Sequence, residues 1–201
     1  MFKLSTEDRA KRHGLRHAKT IDILKKNGAR RVLDIGCAEG KLLKLMASDN
    51  HFTEIVGIDP NTEYLAEAKE SLGGLSRVKL IQGFAESLDG LFKNYDAVTL
   101  VEVIEHMPPN KLPLFTERIF NHLSPKIVVV TTPVFFPSSQ HKSRTEEELF
   151  QLNHYFEWTL EEFGEWAKSV GEAYGYKYEI ELLEFEQENR ATQIAVFSRG
   201  N

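Results

Sequence analysis

The chain holds one cysteine, Cys37, in 201 residues. No internal disulfide can form, and the usage fits a reducing compartment, so a cytoplasmic location is expected. No apolar run approaches the ~20 residues that cross a bilayer. The opening stretch MFKLSTEDRAKRHGLRHAKT lacks an apolar core of signal-peptide length. No membrane partner is expected. Excess positive charge is missing too: 25 Lys and Arg stand against 30 Asp and Glu, a formal net of −5. That argues against a protein that coats nucleic acid by charge alone. One basic stretch, KRHGLRHAK at 11–19 with Arg30 and Arg31 beyond it, can line a groove. The reading favoured by composition is a solvated face of an N-terminal helix over 5–27. Two phosphate-binding fingerprints are absent, since neither G-x-G-x-x-G nor G-x-x-x-x-G-K-[ST] occurs. Their absence counts against a dinucleotide and against a P-loop.

What is present alternates. RRVLDIG (30–36), EIVGIDP (54–60), VKLIQG (78–83), YDAVTLVEV (95–103) and KIVVVTTP (126–133) read as strands. GKLLKLMAS (40–48), NTEYLAEAKESL (61–72), NKLPLFTERIFNHL (110–123) and WTLEEFGEWAKSVGEAYGY (158–176) read as helices. Asn61 and Thr159 are placed as N-caps, and Pro113 falls near a first turn, where proline is tolerated. YKYEIELLEF and ATQIAVFS then alternate like an antiparallel pair. The pattern predicts an α/β fold with a mostly parallel sheet and helices on both faces. A single domain over 1–201 is expected, with its core over 28–198. Right-handed crossovers bring the loops after the strands to one edge, where such sheets bind ligands.

The first of these loops is LDIGCAEGKLL. A strand ends, Gly36 and Gly40 allow a tight turn, and a helix begins. Asp34 can accept hydrogen bonds from an amino group. About twenty residues on, GIDP puts Asp59 and Pro60 at the tip of the second strand, where a carboxylate can take both hydroxyls of a ribose. A ligand with a ribose, a positive end and no pyrophosphate suits this turn, and S-adenosylmethionine is such a ligand. VLDIGCAEG with GIDP resembles motifs I and II of the class I methyltransferases. The resemblance implies a Rossmann-like seven-stranded sheet ending in an antiparallel hairpin. It also implies a cofactor site at Asp34, Gly36, Cys37, Gly40, Asp59 and Pro60, with Phe84, Ala85 and Glu86 near the adenine. Cys37 reads as a small filler of the turn.

The fourth strand ends in VEVIEH. If the chain turns helical at 102, then Glu102, Glu105 and His106 stand at i, i+3 and i+4 and share one face. Two oxygens and one nitrogen suit Mn²⁺, Fe²⁺ or Co²⁺, with Mg²⁺ also fitting. A further ligand from a distant segment would discriminate a metal site from a plain acid–base pair. HYFEW at 154–158 supplies one in His154, in the long insertion after the fifth strand.

VEVIEHM followed by NHYFEWTLEEFGEWA, with TQIAVF near the end, resembles the small-RNA 3′-terminal 2′-O-methyltransferases. The likeness spans roughly 28–198. It implies that Glu102, Glu105, His106 and His154 hold one divalent cation, Mn or Mg by preference, which takes the 2′- and 3′-hydroxyls of the terminal ribose. His106 or His154, with Glu102, is then the catalytic set. The implied partner is the 3′ end of a small single-stranded RNA, delivered by an RNA-repair or RNA-carrier protein. Two departures stand out. Members carry T-P-N-x-E-[FY]-N after the fifth strand where this chain has TTPVFFPSS, and Asn153 stands where members have Asp. RNA contacts are expected from Lys11, Arg12, Arg16, Lys19, Lys142 and Arg144, with stacking by Phe135, Phe136 or Tyr155. Two alternatives remain at this point. One is a metal-free small-molecule O- or C-methyltransferase using Glu102 and His106 as acid and base. The other is a non-catalytic cofactor-binding subunit.

Overall fold

The central apolar runs become strands whose side chains alternate between two covered faces. The computed structural model describes residues 6–84, 92–136, 146–185 and 190–200. The strands are β1 (Arg31–Ile35), β2 (Glu54–Asp59), β3 (Val78–Gln82), β4 (Ala97–Val101), β5 (Ile127–Pro133), β6 (Lys177–Phe185) and β7 (Arg190–Ser198). They form one seven-stranded sheet in the order β3-β2-β1-β4-β5-β7-β6. The first five are parallel, and β7 lies antiparallel between β5 and β6. This is the expected mostly parallel sheet with an antiparallel C-terminal hairpin. Strand order reverses between β1 and β4, so a crevice opens at their carboxyl ends.

The helices are α1 (Thr6–Lys26), α2 (Lys41–Ser48), α3 (Thr62–Leu72), α4 (Leu112–Glu117), α5 (Glu146–Gln151) and α6 (Leu160–Tyr174). Leu33, Ile35, Val98, Val128 and Val130 face α4 and α6 and pack with Phe115, Phe120 and Phe163. Their neighbours Val32, Ala97, Ile127 and Val129 face the opposite way, onto Leu24, Leu43 and Met46 of α1 and α2. The two-residue period of the strands therefore fills two cores at once. Among the described residues, no helix is long and apolar enough to cross a membrane.

Local chemistry sets the helix ends. The Asn61 side chain accepts from the N–H groups of Glu63 and Tyr64, as an N-cap does. Thr159 and Glu162 form a reciprocal capping box at the start of α6. The run at 110–123 differs from a plain helix. After α4 the backbone widens into a π-helical stretch over Arg118–Leu123, which turns Ile119, Phe120 and Leu123 all inward.

The basic stretch at 11–19 is the main correction to the sequence reading. It is not simply a solvated face. In α1, Arg16, Thr20, Ile23 and Leu24 are buried, with Arg16 only 3% exposed. The spacing puts Arg16 on the same inward stripe as the apolar residues below it. A buried guanidinium demands a partner, and it finds one at the end of β4.

Candidate active site

At the end of β1 the chain turns sharply at Gly36, φ +76°. A Cβ there would lie 2.6 Å from Val103 Cγ2, so only glycine lets the turn sit against the β4 loop. The N–H groups of Gly36 and Cys37 both donate to the Ile58 carbonyl, tying this turn to β2. Asp59, at the tip of β2, is buried. Its carboxylate accepts from the Ala38 N–H at 2.9 Å and from the Asn61 N–H at 2.9 Å, one bond per oxygen. Each oxygen keeps a second lone pair for a ligand. Asp34 is also buried and accepts from Thr99 Oγ1 at 2.6 Å. Burial pushes its carboxyl up to about 7, opposed by the Thr99 bond and reinforced by the charge of Asp59.

A cavity of about 590 Å³ opens over this edge, lined by Gly36, Asp59, Pro60 and Phe84 on one side and by Glu102, His106 and Tyr155 on the other. Asp34 and Cys37 line a smaller adjoining cavity of about 230 Å³. Gly40 lies outside both, packed against Ala68 at the start of α2. Cys37 packs beside Gly57, and burial raises its thiol well above the usual range, which suits a filler and not a nucleophile. Ala85 and Glu86 lie outside the described residues.

The chain does not turn helical at 102. Glu102 has φ +56°, a left-handed conformation that ends β4, and a single 3₁₀ turn follows over Ile104–His106. The expected shared face is therefore replaced by a sharper geometry. Glu105 is fully buried. Its Oε2 accepts from Thr132 Oγ1 at 3.0 Å, while Oε1 has no hydrogen-bond partner. An unpaired buried acceptor costs about 1–3 kcal/mol unless something binds it. Burial, followed by the neighbouring charge of Glu102, raises the Glu105 carboxyl well above its ordinary value.

His154 arrives from 48 positions away in sequence, after the insertion. Backbone bonds place it: Tyr155 N–H donates to the Glu105 carbonyl at 2.7 Å, and Phe135 N–H to the Trp158 carbonyl at 2.9 Å. Gln193 of β7 donates to the same Trp158 carbonyl at 3.0 Å. Trp158 is wedged between Phe156 and Trp166. The result is that Glu105, His106 and His154 offer one ligand atom each, all within 4.8 Å of one another.

The two imidazoles are prepared for this. His106 Nδ1 faces the Asn153 carbonyl at 3.0 Å, and His154 Nδ1 faces Glu157 Oε1 at 2.7 Å. Both partners can only accept, so the protons sit on Nδ1 and the lone pairs on Nε2. A carboxylate behind a histidine fixes the tautomer and ring orientation that a metal needs. Asn153 has φ +55° and acts through its backbone. Asn and Asp both tolerate this conformation, so the departure from Asp leaves His106 held. Partial desolvation lowers the His106 imidazole below its ordinary value, keeping it neutral.

Glu102 is not in the trio. Its Oε1 accepts from Thr131 Oγ1 at 2.9 Å, and its Oε2 pairs with Arg16 Nη1 at 3.0 Å. Four supporting residues, Arg16, Thr131, Thr132 and Glu157, were invisible as partners in the sequence. Only Glu157 left a trace, three positions after His154. Of the expected RNA contacts, Lys19 pairs with Glu181, Phe135 and Phe136 are half-buried, and Tyr155 is exposed at the cavity mouth. Lys142 and Arg144 lie outside the described residues.

Residues 32–126 match a family model described as a methyltransferase domain. The small RNA 2′-O-methyltransferase of Mus musculus is 30% identical over 89% of this chain and 49% of its own length. That of Tetrahymena thermophila is 32% identical over 92% of this chain and 49% of its own. The chain thus spans about half the length of these curated relatives. Among solved structures, the methyltransferase domain of the bacterial protein CtHen1 superposes with a TM-score of 0.77 at 34% identity. That match covers 92% of this chain and 97% of that one. The small RNA methyltransferase HEN1 superposes with a TM-score of 0.80 at 26% identity, over 94% of this chain and 25% of that one. By these matches the chain belongs to the family of small RNA 2′-O-methyltransferases, as a Hen1-type methyltransferase domain.

Proposed function

We propose that this domain transfers a methyl group from S-adenosylmethionine to the 2′-hydroxyl of the 3′-terminal nucleotide of a small RNA, with help from one divalent cation. The observation that carries the cation is Glu105: a fully buried carboxylate with an unpartnered oxygen, beside two imidazoles, the three residues each offering one ligand atom within 4.8 Å of the others. Mixed O and N donors suit Mn²⁺ best, with Mg²⁺, Co²⁺ and Fe²⁺ also compatible. Glu105, His106 and His154 would hold it, and Glu102 is near enough in the chain to join them. A cation there supplies Lewis acidity, which makes a ribose hydroxyl more acidic and fixes its direction.

The remaining roles belong to the chain. Asp59 and the glycine turn at 36 line the wall suited to a ribose and its attached sulfonium arm. His106 lies on the border between that wall and the acidic cluster, lining the large cavity, the adjoining 230 Å³ one and a third of about 210 Å³ that Glu105 and His154 also line. Its neutral Nε2 can accept a proton there when it is not engaged as a ligand. Placing donor and acceptor in one cavity makes the transfer effectively intramolecular. Need for a free 2′,3′-diol would select an unmodified 3′ end.

The test is methyl transfer from labelled S-adenosylmethionine to a short RNA, with Mn²⁺ or with EDTA. An oligonucleotide ending in a 2′-deoxyribose runs alongside. Transfer that requires the cation and the terminal 2′-hydroxyl is expected. Transfer to a small diol or amine that ignores EDTA would replace this reading with the metal-free small-molecule one.

A further inference from the structure

Arg16 is the buried charge that the reaction as proposed does not use. Its guanidinium reaches Glu102 Oε2 at 3.0 Å, Thr192 Oγ1 at 3.4 Å and His13 Nδ1 at 2.8 Å. The His13 imidazole is pushed down to about 4 by burial and by Arg16 itself, so it stands neutral and accepts from the guanidinium. Arg16 shares two cavities, of about 210 and 230 Å³, with Glu102 and His106. The Arg16 and Glu102 side chains are 4% and 19% exposed, so water screens their attraction poorly.

Glu102 has two oxygens and both are taken, one by Thr131 and one by Arg16. The Thr131 hydroxyl is a neutral donor and leaves a lone pair on its oxygen. Arg16 is a full positive charge. A divalent cation beside Glu105 therefore meets a fixed like charge, and the second carboxylate it wants is already neutralised. This inference rests on the cation reading above. We infer that Arg16 and the divalent cation compete for Glu102, so that cation binding loosens the N-terminal half of α1 and α1 in turn restrains cation binding. Arg16 is thereby a positioning residue that acts through Glu102. Linkage requires the effect to be reciprocal, because one coupling free energy governs both directions. The lower half of α1 stays anchored by Ile23 and Leu24, so the loosening is confined to the turns around 10–17.

The experiment measures Mn²⁺ binding by electron paramagnetic resonance on the purified chain, with no RNA or methyl donor. Wild type, Arg16→Gln, Arg16→Lys, Glu102→Gln and the Arg16→Gln/Glu102→Gln double variant are compared. Arg16→Gln is expected to bind Mn²⁺ about tenfold more tightly, within the usual span of coupled sites. Arg16→Lys, which keeps the charge, should stay near wild type. In the Glu102→Gln background the Arg16 substitution should shift affinity by less than about threefold, because the contested carboxylate is gone. Amide exchange on the wild-type chain should quicken around 10–17 on adding Mn²⁺ while the 20–26 turn stays protected; this arm needs no variant to fold. Weaker or unchanged Mn²⁺ binding by Arg16→Gln overturns the inference, as does the same tightening with and without Glu102. Unchanged exchange at 10–17 on saturation with Mn²⁺ also overturns it. Failure of the wild-type chain to bind Mn²⁺ at all overturns the cation reading itself and this inference with it.

Discussion

The two walls of the site, which meet at His106, are built differently. The Asp34–Asp59 wall is local: two adjacent parallel strands, a glycine turn and a capped helix, closed by bonds from the Gly36 N–H to the Ile58 carbonyl and from the Ala38 N–H to the Asp59 carboxylate. The Glu105–His106–His154 wall is assembled from β4, β5 and the segment before α6, and the place of His154 depends on contacts from Glu105, Trp158 and Gln193. The first wall follows from its own short sequence. The second exists only when the whole sheet is formed, because β7 carries Gln193 to Trp158. The cation site proposed there, placed across distant segments, would couple binding to folding, while the turn at Gly36 can be complete without it.

Separate failures of the two walls are the sharpest way to break that comparison. His154→Ala removes one of three convergent donors and should abolish detectable Mn²⁺ binding and RNA methylation, while S-adenosylmethionine still binds in calorimetry. Asp59→Ala should do the reverse, lowering affinity for S-adenosylmethionine at least tenfold and sparing Mn²⁺. Loss of both ligands in either variant would mean the walls are one unit. Next in size is Glu157→Gln, which keeps shape and removes the carboxylate behind His154. About 10–100-fold weaker Mn²⁺ binding is expected by the same titration, and an unchanged affinity would deny Glu157 its orienting role.

A pH effect follows on the local wall. The folded-state carboxyl of Asp34 is raised from 3.8 to about 7. Between those values the folded chain binds more protons than the unfolded one, so the contribution of this group to stability falls as pH rises from about 4 to about 7. In EDTA, denaturant unfolding of Asp34→Asn should lose less stability than wild type between pH 5 and pH 8, by on the order of 2 kcal/mol. Equal pH profiles would place the Asp34 titration elsewhere. The smallest effect belongs to Thr159→Ala. It deletes the capping box that starts α6 just after the His154 segment, and should cost about 1 kcal/mol in unfolding with little change in Mn²⁺ affinity. A large loss of Mn²⁺ there would show that the cap, and not the Glu105 and Trp158 bonds, holds His154.

Legibility in the sequence follows the range of the interactions. Strand alternation, the Asn61 and Thr159 caps and the turn at Gly36 depend on neighbours a few positions apart, and each is where the pattern predicts it. The C-terminal pair was legible for the same reason, though not the insertion of β7 between β5 and β6, which is a matter of which edge is open. Of the E-x-x-E-H motif, Glu105 and His106 come together with His154 while Glu102 stands apart. A helical face was the natural local guess, but the left-handed bend at Glu102 sends its carboxylate toward Arg16 while Glu105 turns inward. Arg16 itself was misjudged because a basic residue among basic neighbours reads as solvated. Its burial is decided by an acidic residue 86 positions away.

The sequence by itself determined the α/β alternation, the parallel sheet with its antiparallel hairpin, and the acidic turn at the end of β1 and β2. Periodicity, caps and turn chemistry act over a few residues and survive without a partner. Only the tertiary structure decided that Glu105, His106 and His154 converge, that Thr131 and Thr132 hold the two glutamates, and that Arg16 pairs with one of them. Those are contacts between groups distant in the chain, and a buried charge or an unpaired oxygen has meaning only once the fold has removed the water around it.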